Sequence, residues 1–389
     1  MKPYISEYVP DFQILTPNDG AHYFFAYYDM RATGRGGKHL CHRVPFMDRL
    51  QTAGDVCELG YLDGGRFVKF AETSAWNFQQ GAMLQYHPYL ENTVYYNVCE
   101  DGKFMTVTHN FATGEKKYAD RATACISPDG KWGLAINFGR IFAFRPGYGY
   151  AGYADEYANV NAPAEDGVFL VDMETGCSRL IISYDKLAPI AGFGADEKVL
   201  INHITFNTSS DRFVMLVRNF PTEKNPGWST SMVIGDLQGN CKTVLMNTYV
   251  SHYYWTAPDT ILAHCTVTGE TKKSMYSINV DSCTWTEHDM PYFYEDHNPD
   301  IHCNTSPDGK YIIGDGYEIK GYRYLMAYSL KTGESRELLR VKSVTPQGII
   351  DIRTDLHARF VWGGQYISFD TTQNGRREIA LIPTDCLNF

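Results

Sequence analysis

Several features that define common protein classes are missing from this 389-residue sequence. No apolar run approaches the roughly 18 residues that a membrane span requires, so no membrane partner is predicted. The opening residues, 1–20, lack the apolar core of a secretory signal, and we expect a cytoplasmic protein unless a signal was removed. Lys and Arg number 35 against 45 Asp and Glu, for a formal net charge of −10. This deficit of positive charge argues against a nucleic-acid partner bound through phosphate contacts.

Motifs that carry common chemistries are missing as well. The 10 Cys residues are scattered singly, without a C-x-x-C pair, which is typical of reduced thiols rather than disulfides or a thiolate zinc site. The sequence contains no P-loop, no dinucleotide fingerprint, no G-x-S-x-G elbow and no H-E-x-x-H pair. The sequence therefore lacks the signatures of P-loop nucleotide hydrolases, Rossmann enzymes, α/β-hydrolases and zincin proteases.

Helical periodicity is nearly absent, and short β-forming segments closed by Gly, Pro, Asp or Asn take its place. The 28 Tyr, 21 Phe and 6 Trp fit strands by propensity, although aromatic rings also stack on sugars in carbohydrate sites. We therefore predict an all-β chain with less than about 10% helix.

Two recurring turns organise the chain into repeats. Ser-Pro-Asp-Gly-Lys occurs at 127–131 and 306–310, with degenerate copies at 207–211, 257–259 and 362–364, and Thr-Gly-type turns follow each. The spacing of about 50 residues predicts a seven-bladed β-propeller forming a single domain over 1–389, although six or eight blades also fit. The predicted blades are 18–65, 80–120, 121–182, 198–246, 248–289, 297–338 and 353–386. Asp11–Leu15 is predicted to close the ring, and the insertion 145–166 to cover one face.

Histidine occupies the same register of four consecutive predicted blades, three residues before the aromatic or Thr residue that opens the first turn. The four residues are His203, His252, His302 and His357. Inner strands line the channel of a propeller, so these side chains are expected to converge near one mouth. The alternative is that each imidazole is only a hydrogen-bonded structural group of its blade.

A divalent metal is one interpretation of this convergence. His297 lies in the donor-rich segment 295–302, and with His252 and His302 it forms our predicted metal site, for manganese or zinc. The alternative for His297 is a solvated acidic loop.

Further polar and aromatic residues supply candidate substrate contacts. Arg218 lies 15 residues after His203, in the strand that returns beside it, and arginine suits bidentate carboxylate recognition. The loops at 76–81 and 145–150 combine aromatic, amide and guanidinium groups. Our candidate substrate-binding residues are Gln80, Arg145, Tyr150, Arg353 and His357.

Several of these strings together resemble the propeller-type polysaccharide lyases. The resemblance is carried by Asn202-His203, Val250-Ser251-His252 and Ser306-Pro-Asp-Gly-Lys310, and by the loops just described. The nearest families are oligogalacturonate lyase and the ulvan lyases, which cleave uronate-containing glycans by β-elimination. The resemblance implies that His203 corresponds to the base, and His252 and His302 to metal ligands. The family's Gln-x-x-His-x-His ligand string reads His-Asn-Pro-Asp-Ile-His here, from 297 to 302.

We therefore expect a lyase that acts on a uronate-containing oligosaccharide. Its predicted catalytic residues are His203 as base, Arg218 as carboxylate partner and Tyr148 as acid. Two alternatives remain open from the sequence: a glycoside hydrolase on the same scaffold, and a non-catalytic propeller that binds carbohydrate or protein. The sequence makes no prediction about oligomeric state.

Overall fold

The architecture is that of a seven-bladed β-propeller, as the turn spacing predicts. A computed structural model describes residues 12–223, 226–290 and 300–389. Within these ranges, 28 strands form seven four-stranded antiparallel sheets, with 45% of the chain in strands and 7% in helices. No helix of the described chain is long and apolar enough to cross a membrane.

Each blade runs from an inner strand at the central channel to an outer strand at the rim. Blade 1 comprises β2 (His22–Phe24), β3 (His39–Val44), β4 (Cys57–Asp63) and β5 (Arg66–Thr73). Blade 2 comprises β6 (Gln85–Tyr86), β7 (Thr93–Glu100), β8 (Lys103–Asn110) and β9 (Lys116–Ala119). Blade 3 comprises β10 (Thr123–Ile126), β11 (Trp132–Ala135), β12 (Gly167–Asp172) and β13 (Ser178–Ser183). Blade 4 comprises β14 (Val199–Phe206), β15 (Arg212–Asn219), β16 (Thr230–Asp236) and β17 (Cys241–Thr248). Blade 5 comprises β18 (Val250–Ala257), β19 (Thr260–Cys265), β20 (Ser274–Asn279) and β21 (Trp285–His288). Blade 6 comprises β22 (His302–Thr305), β23 (Tyr311–Asp315), β24 (Tyr322–Ser329) and β25 (Ser335–Lys342).

The seventh blade closes the ring by combining both ends of the described chain. It contains β26 (Arg359–Val361), β27 (Tyr366–Thr371), β28 (Glu378–Pro383) and, as its outer strand, β1 (Gln13–Ile14). The register pairs Gln13 with Leu381 and Ile14 with Ala380. This confirms the predicted closing strand, and the shared blade joins the first and last strands through backbone hydrogen bonds.

The Ser-Pro-Asp-Gly turns form the hairpins between the first and second strands of their blades. In the first copy, Ser127 Oγ donates to Asp129 Oδ1 over 2.6 Å, and the amide of Gly130 donates to the Ser127 carbonyl over 2.9 Å. Gly130 has a φ of +73°, a conformation that glycine adopts without steric cost. Because these turns follow the inner strands, they mark one end of the channel, which we call the lower mouth; the inner strands begin at the upper mouth.

The middle of a central strand can be continuously apolar rather than alternating. In β15 the residues from Val214 to Val217 are fully buried. This pattern arises because both faces of a central strand pack against the sheets of neighbouring blades, whereas the outer strand β5 is largely exposed or half-buried. The core therefore consists of the seven inter-blade layers around the channel.

The structure corrects parts of the predicted organisation. The range 18–65 for the first blade omits its outer strand β5, which extends to Thr73. The chain between β11 and β12 contains a helix, α1 (Phe138–Phe144), directly before the predicted insertion. A second helix, α2 (Tyr184–Ile190), links blades 3 and 4, and short 3₁₀ turns occupy Pro346–Gly348, Ile350–Ile352, Trp362–Gly364 and Thr384–Leu387.

Candidate functional site

Four histidines meet in the channel: His252 and His302 lie near the start of their inner strands, His203 in the middle of β14, and His357 in the loop before β26. The ring centroids are 6.0 Å apart for His203 and His252, 4.0 Å for His252 and His302, and 4.4 Å for His302 and His357. All four side chains are buried. We call this set the histidine cluster.

A tyrosine that sequence reasoning missed lies in the middle of the histidine cluster. Tyr27 follows β2 in an aromatic run, and its hydroxyl is 3.0 Å from His203 Nε2. Its ring lies 4.6 Å from the ring of His357 and 6.0 Å from that of His302. The neighbouring Tyr28 donates its hydroxyl to the Tyr253 carbonyl over 3.0 Å. The available signal was the aromatic run Phe24–Tyr28, which begins at the end of the inner strand of blade 1.

Burial and neighbouring charge favour the neutral forms of His203 and His252. The pKa of His203 lies well below its usual value, and burial is the main cause. The positive charge that His252 would carry if protonated and the charge of Arg218 lower it further. Burial and His302 likewise lower the pKa of His252 to about 3, even though Asp300 opposes the shift. A neutral imidazole can accept a proton or bind a metal, so both predicted roles remain chemically available.

Three of the histidines have Nδ1 close to a protein oxygen. Only His357 is hydrogen-bonded there, because Nδ1 of His252 and Nδ1 of His302 have no hydrogen-bond partner among the described residues. His252 Nδ1 lies 3.0 Å from Asp300 Oδ1, and His302 Nδ1 lies 3.4 Å from Asp315 Oδ2. His357 Nδ1 lies 3.0 Å from the Ala26 carbonyl. Such contacts to the far nitrogen commonly orient metal-ligating histidines.

The opposite nitrogens of two of these rings have no partner in the described chain. His302 Nε2 and His357 Nε2 are buried without a hydrogen bond, 4.0 and 3.9 Å from Asp355 Oδ2 respectively. The ligand atoms of His302, Asp355 and His357 all lie within 4.8 Å of one another. Orphaned nitrogens beside a carboxylate fit a divalent cation of the manganese or zinc type.

This geometry differs from the predicted metal set. His252 and His302 come together as expected, but His297 lies outside the described residues. His357, predicted as a substrate contact, lies beside His302 and Asp355, with which it could hold a metal. His302 begins the inner strand of blade 6, and Asp355 and His357 come just before that of blade 7, so the set spans two consecutive blades.

Asp355 is a buried anion shared between two arginines. Its carboxylate lies 2.6 Å from Arg323 Nη1 and 2.8 Å from Arg353 Nη2. Burial would raise the pKa of Asp355, but Arg323 and Arg353 hold it below its usual range. Arg353 also donates to the Tyr148 hydroxyl over 3.0 Å, so its donors are directed at protein groups. Arg353 thus supports Asp355 and Tyr148 in this geometry, and its role in substrate binding stays a prediction.

Two further predicted residues, Arg218 and Arg145, border the cluster. Arg218 is buried in β15, opposite Leu200 of β14, and its Nε donates to Thr230 Oγ1 over 3.2 Å. Burial and the nearby charge of Arg145 lower the pKa of Arg218. Repulsion between two cations makes this corner of the site favourable for an anion.

The remaining predicted residues divide between the site and the core. The ring of Tyr148 meets that of His203 edge to face at 5.8 Å, and Gln80 Nε2 is 3.5 Å from His203 Nδ1. Arg145 lies over the Tyr148 ring at 4.8 Å. Tyr150 lies elsewhere: its ring stacks on Phe138 at 4.1 Å and its hydroxyl accepts a hydrogen bond from Asn97. The sequence Tyr148-Gly-Tyr150 alone does not show which of the two tyrosine rings points to the channel.

Comparison with solved structures places this site in a known architecture. No protein-family model and no curated protein matches the sequence. A structure of oligogalacturonate lyase in complex with manganese matches with a TM-score of 0.66 at 14% identity, covering 97% of this chain and 98% of that one. The chain shares its fold with oligogalacturonate lyase.

Two other solved structures show how far that fold extends. Oligogalacturonate lyase from Vibrio parahaemolyticus matches with a TM-score of 0.63 at 14% identity, covering 97% of both chains. The tricorn protease matches 97% of this chain with a TM-score of 0.54 at 11% identity, over 34% of its own length. Because a protease shares the fold, function has to be argued from the site.

Proposed function

We propose that this protein is a lyase that cleaves a uronate-containing oligosaccharide by β-elimination. The observation that carries the proposal is the juxtaposition of a neutral, buried His203 with the Tyr27 hydroxyl and with the charge of Arg218. Base, hydroxyl donor and buried cation are the three groups that elimination next to a carboxylate requires.

The reaction begins with the weakly acidic proton at C5 of the uronate. Arg218 binds the adjacent carboxylate, and its positive charge stabilises the negative charge that develops as the proton leaves. His203 takes the proton, the C4–C5 double bond forms, and the bond from C4 to the glycosidic oxygen breaks. The leaving oxygen then takes a proton from an acid.

Two tyrosines are suited to supply that proton. Tyr148 is our first candidate because its ring lies against His203 and its hydroxyl already accepts a hydrogen bond from Arg353, which would stabilise a phenolate. Tyr27 is the second, because its hydroxyl contacts His203 directly and burial raises its pKa, keeping it protonated. Comparison of Tyr148→Phe with Tyr27→Phe distinguishes them: only loss of the acid should reduce turnover strongly on a substrate with a poor leaving group while sparing one with a good leaving group.

The metal-type donors complete the proposal. A divalent cation held by His302, Asp355 and His357 would help to neutralise the substrate carboxylate. The Ala26 carbonyl is hydrogen-bonded to Nδ1 of His357, and Asp315 lies beside Nδ1 of His302.

The protonation of the site carboxylates favours elimination over glycoside hydrolysis. Hydrolysis generally needs one carboxylic acid that is protonated near neutral pH, with a second carboxylate across the bond. Within the described residues, the pKa values of Asp300 and Asp355 at the cluster are both lowered: burial opposes the shift, but His252 at the first and two arginines at the second outweigh it. Asp300 and Asp355 are therefore poorly suited to act as the acid of a hydrolase, and Asp29, whose pKa is raised to about 6, lies beyond Tyr27 and His203 in a cavity on the turn side of the channel.

A screen against uronate oligosaccharides of different linkage tests the proposal. Elimination generates an unsaturated uronate with new ultraviolet absorbance, whereas hydrolysis generates only reducing ends and a binding propeller generates neither. Absence of absorbance across the panel, in the presence of manganese or zinc, would contradict the proposed reaction.

A further inference from the structure

A cavity lies on the turn side of the histidine cluster, where His203 of the cluster and the adjacent Gln80 also line it. It encloses about 170 Å³ and is lined by the turn residues Pro128, Asn207 and Thr208 at the lower mouth. Its inner end is formed by Tyr27 and His203, so the aromatic centre of the histidine cluster separates it from the upper mouth. We call it the lower cavity.

Polar groups without protein partners line the lower cavity. Asn202 is 3% exposed, and neither its amide oxygen nor its amide nitrogen makes a hydrogen bond within the described chain. Arg31 donates through Nε to the Tyr86 carbonyl over 2.8 Å, whereas its Nη2 is buried without a partner among the described residues. Buried groups of this kind are costly unless something else satisfies them, so these atoms point to an occupant.

Asp29 provides an anion in the same cavity. Solvent reaches its side chain, yet the surrounding protein raises its pKa to about 6 through burial, against the effect of Arg31. The formal charges of Asp29 and Arg31 cancel, so the cavity favours an uncharged ligand. An aromatic wall formed by Phe206, Tyr254 and Trp255 completes the lining.

We propose that the lower cavity binds one neutral sugar residue. A carboxylate, a free guanidinium nitrogen and a free amide supply both donors and acceptors for adjacent hydroxyls, while the aromatic wall meets the apolar face of a sugar ring. The cavity is small, which suits a single sugar ring rather than an oligosaccharide. This site goes beyond the proposed lyase, whose substrate is an anion bound at the upper mouth.

Titration of the intact protein with single neutral sugars tests the inference. Galactose, glucose, mannose, xylose and rhamnose are each titrated by calorimetry and by saturation-transfer NMR, with galacturonate as the charged comparison. We expect at least one neutral sugar to bind with millimolar or tighter affinity. Asp29→Leu and Arg31→Gln should each weaken that binding about tenfold or more, because each removes a hydrogen bond that involves a charged group.

The control is Asp63→Leu, the same substitution at an exposed carboxylate in the β4–β5 hairpin of blade 1. It should leave sugar affinity unchanged, and thermal denaturation should show that all three variants are folded. Binding of none of the five neutral sugars, or binding that both cavity variants leave unaltered, would overturn the inference. Because the readout is binding, loss or absence of lyase activity does not affect it.

Discussion

Replacement of His203 by glutamine separates the chemistry of the site from its stability. Removing a general base typically costs about 10²–10⁴ in turnover, so we expect kcat of His203→Gln to fall within that range. The Tyr27–His203 hydrogen bond of 3.0 Å is also lost, which costs about 1 kcal/mol. An unfolding entropy of about 2.1 cal/mol/K per residue over 389 residues converts this into a Tm decrease of about 1 °C.

A second tyrosine–histidine pair in the same fold provides the matched control. The Tyr96 hydroxyl lies 3.1 Å from Nδ1 of the buried His109, in blade 2 and outside the histidine cluster. His109→Gln should therefore lower Tm by a similar amount and leave kcat unchanged. Initial rates from ultraviolet absorbance and thermal denaturation monitored by circular dichroism supply the two readouts. Equal loss of activity in both variants, or near-wild-type activity of His203→Gln, would refute the assignment of the base.

Four other outcomes follow from the same geometry. Arg218→Lys should lower kcat/KM by about 10²-fold in steady-state assays, because an ammonium does not reproduce the guanidinium fork, and wild-type kinetics would exclude carboxylate binding there. Asp355→Asn should cost about 3–5 kcal/mol in denaturant unfolding, because two buried arginines lose their anion, whereas a cost below 1 kcal/mol would show that solvent reaches them. Elemental analysis should find about one manganese or zinc ion per chain and less in His302→Ala, while a metal-free wild type would make the cluster a substrate or core feature. The free energy of unfolding should fall as the pH drops below about 6.5. His39 and His252, whose pKa values are lowered to about 3 in the folded protein, bind protons at pH 5 only when the chain is unfolded. Equal stability at pH 5 and 7 would contradict this.

Local chemistry accounts for the parts of the fold that the sequence predicted. The turn sequence at 127–131 determines a hairpin through its own side-chain and backbone hydrogen bonds, so each copy could be placed without knowledge of the rest of the chain. The spacing of such turns predicted the seven blades. The predicted range of blade 1 ended at residue 65, in the turn directly before β5, so its outer strand was missed.

The site was only partly predictable, for a physical reason. Register placed the four histidines on inner strands, but which side chains meet across the channel depends on the closure of the whole ring. Tyr27 comes from blade 1, and Asp355 is bound by Arg323 of blade 6 and by Arg353, which comes just before the strands of blade 7. Tyr150 illustrates the same limit, since its packing against Phe138 depends on α1, a helix without amphipathic periodicity.

The most direct test of the central claim is the product formed in heavy-oxygen water. The protein is incubated with the uronate oligosaccharide that it cleaves, and the fragments are examined by mass spectrometry. The account predicts that the new non-reducing end is lighter by one water than a hydrolysis product and that neither fragment carries heavy oxygen from solvent at the broken bond. Saturated fragments with one heavy oxygen incorporated per cleavage would show hydrolysis and contradict the account.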